Sequence, residues 1–151
     1  MAAEHVRTQI RKAITAALTG LTTAGDRVFE SYPHPLQDKD LPGLKVDTVL
    51  PGQINPGSMG GKARLLERQL LVSVTACVKQ NAGYQDVVDA MLLEAEIALA
   101  NDNTLGGLCK WIRPFTEPGF DTAPGERTSQ AATQVFEVVY VTALNAPNVP
   151  R

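Results

Sequence analysis

The chain has 151 residues, the size of one ordinary domain, and 44% of them are hydrophobic. This composition excludes wholesale disorder and a fibrous repeat. A net charge of -2, from 14 basic and 16 acidic residues, lacks the basic excess of a general nucleic-acid binder. No apolar run approaches the roughly 20 residues that span a bilayer, and the N-terminus turns polar at once, without the pattern of a signal peptide. We therefore expect no membrane partner and no sequence-specific nucleic-acid partner.

Cysteine usage indicates the compartment. The two cysteines, Cys77 and Cys109, are too few for a disulfide scaffold and both have apolar neighbours. We expect them to be reduced and buried, in a soluble protein made in a reducing compartment.

Two segments have the periodicity of amphipathic helices. In residues 3–21 the apolar positions follow one helical stripe, and Arg7, Arg11 and Lys12 occupy the opposite face. Residues 84–100 form the second predicted helix, with acidic residues near its start, where negative charge suits the helix dipole.

Alternating or continuous apolar runs predict the strands. They cover residues 27–31, 44–50, 65–79, 108–115 and 134–143. The order α-β-β-β-α-β-β, with its apparent hairpins, favours an α+β fold in which both helices pack on one face of a mostly antiparallel sheet. We predict a single domain over residues 1–151, with 144–151 as a flexible tail that contains two prolines.

Two long loops interrupt this pattern, at residues 51–64 and 116–131. The first has four glycines and two prolines in fourteen residues, and is predicted to lack regular structure. Loops of this length are uncommon in compact domains unless they have a function.

Residues 56–63 resemble a phosphate-binding loop, but the pattern fails at three points. Pro56 replaces the first glycine, Ala63 replaces the hydroxyl that binds magnesium, and a strand rather than a helix follows. A flexible hairpin loop is the better interpretation.

Metal and catalytic sites are equally weakly indicated. His34 with Asp38 and Asp40 could in principle bind a metal, but the spacing matches no metal motif and favours a solvated turn. No serine or cysteine nucleophile lies in a recognisable setting. We therefore predict no catalytic, cofactor-binding or metal-binding residue, no cofactor and no enzymatic activity.

Charge is unevenly distributed between the two predicted helices. The first carries three cations, whereas residues 81–108 contain no Lys or Arg and five acidic residues. This pattern is typical of two ordinary solvated surfaces. It is also the pattern of complementary faces that meet between neighbouring copies of the protein.

Several strings, taken in order, carry a family resemblance. They are Thr22-Thr23-Ala24-Gly25-Asp26-Arg27-Val28-Phe29, Pro35-Leu36, Asp40-Leu41-Pro42-Gly43-Leu44, Glu94 and Glu96 with Ala98-Leu99, Asp102-Asn103-Thr104-Leu105-Gly106-Gly107-Leu108, and Val135-Phe136-Glu137-Val138-Val139-Tyr140-Val141-Thr142. Over about residues 6–143 the chain resembles the tail terminator (minor tail protein) family of lambda-type long-tailed bacteriophages. It departs from that family at Glu30, because a basic residue is expected soon after Phe29. This departure puts in doubt an inter-subunit salt bridge from that position.

The resemblance implies a structural virion protein. Such a protein forms a homo-oligomeric ring, commonly a hexamer, that caps the tail tube, ends its polymerisation and presents the tail-side surface for head joining. The implied partners are other copies of the chain, the tail tube protein and the head–tail connector protein, with DNA able to pass through the ring. The implied location is the host cytoplasm during assembly and then the head-proximal end of the tail.

Two other classes stay open. A head–tail connector or completion protein of the neck would differ mainly in its partner. A small ligand-binding or enzymatic domain would give a saturable thermal shift with a nucleotide or a metal.

Under the ring interpretation, the loop at 51–64 is expected to become ordered on a neighbouring copy or on the tail tube. Ile54 and Met59 would be buried there, and the backbone would pair as an added strand. Lys62 and Arg64 would face carboxylates of the next copy, such as Asp86 or Glu94. The simpler interpretation is a loop that stays mobile throughout.

Overall fold

The computed structural model describes residues 3–49, 52–56, 64–79, 82–120 and 129–151. Within these residues, two helices and eight strands follow one another. They are α1 (Val6–Leu18), β1 (Val28–Glu30), β2 (Gly43–Thr48), β3 (Ile54–Pro56), β4 (Leu65–Lys79), α2 (Tyr84–Asn101), β5 (Trp111–Pro114), β6 (Gly119–Phe120), β7 (Ser129–Ala143) and β8 (Ala146–Pro150), with a short 3-10 helix at Asp38–Asp40 before β2.

The sheet is built around one long ribbon. β4 and β7 pair antiparallel along their whole length, from Leu65 opposite Ala143 to Lys79 opposite Ser129. The strand order is β1-β2-β4-β7-β5, with β3 also on β4 and with β6 and β8 also on β7. Every pairing is antiparallel except that of β1 with β2. The predicted α+β class and mostly antiparallel sheet are therefore confirmed.

Both helices pack on the same face of this sheet, as predicted. α1 buries Val6, Ile10, Ile14 and Leu18, a spacing of four residues that keeps them on one stripe. α2 contributes a second set of buried residues to the same core. The sheet contributes alternate residues, because successive side chains of a strand point to opposite faces. In β4 these are Leu70, Val72, Val74, Ala76 and Val78.

Element boundaries differ from the prediction mainly at the ends. α1 is shorter than 3–21, because His5 caps its start and the chain turns at Gly20, which has φ +88°. β7 begins at Ser129, before the predicted residue 134. It does so because the first residues of β7 pair with the last residues of β4. The expected loop at 116–131 thus contains β6 and the start of β7, and residues 121–128 lie outside the described residues.

The prediction that residues 51–64 lack regular structure is wrong for residues 54–56. These form β3, which pairs with the start of β4, with Ile54 opposite Arg68. β2 ends at Thr48, so this edge of β4 is open and the chain itself supplies the next strand. Gly52 is required there, since a Cβ at that position would lie 2.0 Å from the Gln69 carbonyl oxygen.

The prediction of a flexible tail over 144–151 is also wrong. Residues 146–150 form β8, which turns back onto the end of β7. The Arg151 amide donates to the Val141 carbonyl, and the Gln9 side chain donates to the Asn148 carbonyl at 2.9 Å. Prolines are tolerated because β8 is an edge strand, which needs hydrogen bonds on one side only.

Candidate interaction surfaces

A groove lies where the start of α1 meets the β3 end of the sheet. Its volume is about 280 Å³. Its lining residues, which define what we call the arginine groove, are Arg7, Thr48, Val49, Gly52, Ile54, Arg68, Gln69, Leu70 and Tyr140. Two residues of the predicted interface, Arg7 and Ile54, are therefore brought together here, and Ile54 is 55% exposed.

The arginine groove is cationic. Among its described lining residues there is no Asp or Glu, and neither Arg7 nor Arg68 forms an ion pair with a described acidic side chain. Arg68 donates through Nε to the Thr142 hydroxyl at 2.9 Å. The positive charge of the groove also affects nearby titratable groups. The pKa of His5 is lowered mainly by burial, and the charges of Arg7 and Arg68 lower it further. Burial raises the pKa of Tyr140, and the same two arginines oppose that rise.

The other two predicted cations of α1 are paired within the chain. The Arg11 Nε lies 2.8 Å from the Glu30 carboxylate, and Lys12 pairs with Glu4. Glu30, the residue that departs from the family pattern, is thus the internal partner of Arg11. Of the three predicted cations of α1, Arg7 is the one without such a described partner.

The outer surface of α2 combines apolar and acidic residues. Leu93 and Ile97 are 59% and 52% exposed, and Val87 is 38% exposed. Asp86 and Asp89 are exposed in the first two turns and form no ion pair with a described residue. α2 itself contains no basic residue.

The start of α2 and the arginine groove lie at opposite ends of the sheet. Arg68 lies near the start of β4, whereas Lys79 ends β4 and lines a cavity together with Tyr84 and Val87 of α2. Eleven residue steps of a strand separate Arg68 from Lys79, about 36 Å at ~3.3 Å per residue. The cationic and acidic surfaces therefore cannot meet within one copy.

The other predicted interface residues that the structure describes do not line the arginine groove. Glu94 accepts from the amide and the hydroxyl of Thr23, at 3.4 and 3.2 Å, and so ties the turn after α1 to α2. Arg64 is exposed, and its carbonyl accepts from the Leu144 amide at 2.7 Å. Met59 and Lys62 lie outside the described residues. Their contacts with a second copy stay predictions.

The sheet face opposite the helices, which we call the far face, carries a buried carboxylate, Glu137. Its place among the apolar residues of a strand predicts a residue at a sheet edge or a subunit contact. Glu137 lies in the central strand β7 and is only 7% exposed. Its carboxylate accepts from Nε and Nη2 of Arg113, at 3.0 and 2.9 Å, and from the Gln69 side-chain amide. The Arg113 guanidinium also lies 4.4 Å from the centre of the Trp111 ring. A single charge within an apolar strand was the only sequence signal for this cluster.

A larger cavity, of about 470 Å³, lies at the other end of the far face and is lined in part by Lys45 and Cys77. Both cysteines are unpaired and buried, as predicted. Burial raises the pKa of the Cys77 thiol, which opposes formation of the reactive thiolate. Within the described residues, no three His, Cys, Asp or Glu side chains are grouped as metal ligands. No helix in the described part of the chain is long and apolar enough to span a bilayer.

Comparisons with known proteins give a distant structural likeness. No protein-family model matches the chain. No curated protein matches it in sequence. Among solved structures, the chain is similar to one in "Virion of native gene transfer agent (GTA) particle", at 16% identity over 89% of this chain and 90% of that chain, with a TM-score of 0.37. At that TM-score the likeness does not indicate what this protein does.

Proposed function

We propose that this protein is a structural component of a phage-type virion, which caps the tail tube as a homo-oligomeric ring. In that role it ends tube polymerisation and presents the tail-side surface for joining to the head. The proposal starts from the ordered strings that resemble tail terminators over about residues 6–143. The α+β fold, with both helices on one sheet face, is compatible with it.

The observation that carries the proposal is the placement of two complementary surfaces. The arginine groove is at one end of the sheet, and the acidic and apolar start of α2 is at the other. A ring requires heterologous contacts, in which one face of a subunit meets a different face of its neighbour. Surfaces of opposite charge on opposite ends of one domain satisfy that requirement, because electrostatic complementarity fixes partner and register.

The far face supplies a further surface for the cap. A ring must contact the tube on one side and the connector on the other. The Glu137–Arg113–Trp111 cluster combines a buried charge, an exposed guanidinium and an aromatic ring. Trp and Arg are enriched at protein–protein interfaces. We propose that this cluster contacts the tail tube protein.

Deletion of the gene from the genome that encodes the protein tests the capping role. The tube then lacks its physical stop, so electron micrographs should show intact heads and baseplates with tails of abnormal length. A plasmid copy of the gene should restore the tail length. Tails of normal length that join heads would contradict the proposal. Tails of normal length that fail to join would instead assign the protein to the neck.

A further inference from the structure

We infer that the arginine groove of one copy receives the start of α2 of the next copy. Arg7 and Arg68 then face the carboxylates of Asp86 and its neighbour Asp89. Ile54, which lines the groove, packs against the apolar side of the same helix. This inference rests on the proposed ring and specifies the contact that closes it.

The groove is suited to an anionic group. Arg7 is in the first turn of α1, where the helix dipole disfavours positive charge, and that turn contains no acidic residue. Arg68 is close enough to influence the same neighbouring groups as Arg7. Two like charges that share a groove without a described counter-ion repel each other, so a carboxylate between them removes an unfavourable interaction.

The start of α2 is suited to supply that group. Asp86 and Asp89 are exposed on adjacent turns, and Val87, which follows Asp86 in the chain, is 38% exposed. The residue before the helix, Gly83, is its N-cap and offers no side chain to cap the first amides. Lys79 lies beside this surface. Its single positive charge is outnumbered by the two carboxylates, so the surface is net acidic. A surface that combines carboxylates with an exposed apolar side chain thus complements one that combines guanidinium groups with Ile54.

The other charged residues of the predicted interface are less suited to this contact. Arg11 and Lys12 already have carboxylate partners in their own chain. Glu94 is hydrogen-bonded to Thr23. Recruiting any of them would break an existing interaction, whereas Arg7 and Asp86 lose no described ion pair on assembly.

Cysteine crosslinking tests the contact directly. The double variant Ile54→Cys/Val87→Cys places one thiol on each proposed surface, and the native thiols, Cys77 and Cys109, are both buried. Under mild oxidation, in purified protein at rising concentration and in assembled particles, it should give a ladder of covalent oligomers that ends at the ring size. The control Ile54→Cys/Phe115→Cys, whose second site lies just after β5 and is 52% exposed, should stay monomeric.

Charge reversal gives an independent test. Arg7→Glu should weaken self-association at least about tenfold, because a close attractive pair becomes repulsive. Adding Asp86→Lys to the same chain should restore most of it. Lys12→Glu, an equal charge change on the same helix, is the matched control and should have little effect.

The outcomes separate this contact from the ring itself. A ring seen in particles, without a ladder from the Ile54→Cys/Val87→Cys pair, would overturn the inference and leave the capping role standing. A ladder from the control pair, or no rescue by Asp86→Lys, would also overturn it. Absence of the protein from the tail would overturn the capping role, whatever the crosslinks show.

Discussion

Replacing Arg113 by methionine should destabilise the protein more than an exposed ion pair would suggest. The Glu137 carboxylate is buried and accepts two bonds from this guanidinium. Removing one partner of a fully buried pair costs roughly 3–5 kcal/mol. In this pair, however, the Arg113 side chain is 63% exposed, so water screens its interaction with Glu137. We therefore expect a smaller loss, about 1–3 kcal/mol after allowance for that solvent screening. Methionine keeps an apolar stem beside Trp111, so that the loss reports mainly on the charge.

Thermal and urea unfolding of a matched set measures this loss. For a domain of this size, about 2 kcal/mol lowers Tm by roughly 4–8 °C. The control is Lys110→Met, which removes the 3.0 Å pair with Glu67, where both side chains are about half exposed. That change should cost less than about 1 kcal/mol. The double variant Arg113→Met/Glu137→Gln should regain most of the loss, because no buried charge is left unpaired. Equal small losses in both single variants would refute the reasoning.

Three further predictions concern the core, a thiol and a helix cap. Phe136→Ala should lower the free energy of urea unfolding by about 3–5 kcal/mol, since the ring is 1% exposed, whereas Leu93→Ala on the exposed side of α2 should change it by less than about 0.5 kcal/mol. Burial, with a smaller effect of a nearby carboxylate, raises the pKa of Cys109 to about 11. A thiol reagent should therefore react far more slowly with the native than with the unfolded protein. The contribution of Cys109 to the free energy of unfolding should be constant below pH 9.0 and should fall as the pH approaches about 11. The His5 Nδ1 caps α1 by accepting from the Arg7 amide, and burial lowers its pKa below 6.5. Stability from this cap should thus be present above pH 6.5 and lost as the pH falls through the lowered pKa, and His5→Asn should abolish that loss in unfolding curves at neutral and acidic pH.

Local periodicity predicted the elements that bury a regular stripe. The bounds of β4 agree with the predicted 65–79, because its residues from 70 to 78 alternate cleanly between a core face and a mixed face. α2 is predicted almost as well, since its buried positions follow the helical repeat. In both segments the local preference and the tertiary packing agree.

The missed strands depend on neighbours rather than on local pattern. β3 and β8 contain prolines and few apolar residues, and form because β4 and β7 extend beyond the strands already paired with them. The first residues of β7 are small or polar, and are recruited by the far end of β4. An open strand edge is a tertiary feature, so a local window of sequence does not contain it.

Only part of the arginine groove was singled out from the sequence. Arg7 and Ile54 were named as interface residues and line the groove, whereas Arg68 was not named. Arg68 shares its face of β4 with Leu70 and Val72, where the alternation calls for an apolar residue. An arginine at that position was the available signal that the helix-covered core ends there. The pairing of Arg11 with Glu30 spans 19 residues, so the composition of α1 alone could not show it.

Electron cryomicroscopy of particles made by the encoding genome tests the capping role most directly. The reconstruction should show a closed ring of this chain between the tail tube and the head-side connector. Density for the α+β domain should repeat around the tail axis, with both helices on one face of the sheet. Particles in which the head-proximal end of the tail contains no copy of the protein would contradict the account.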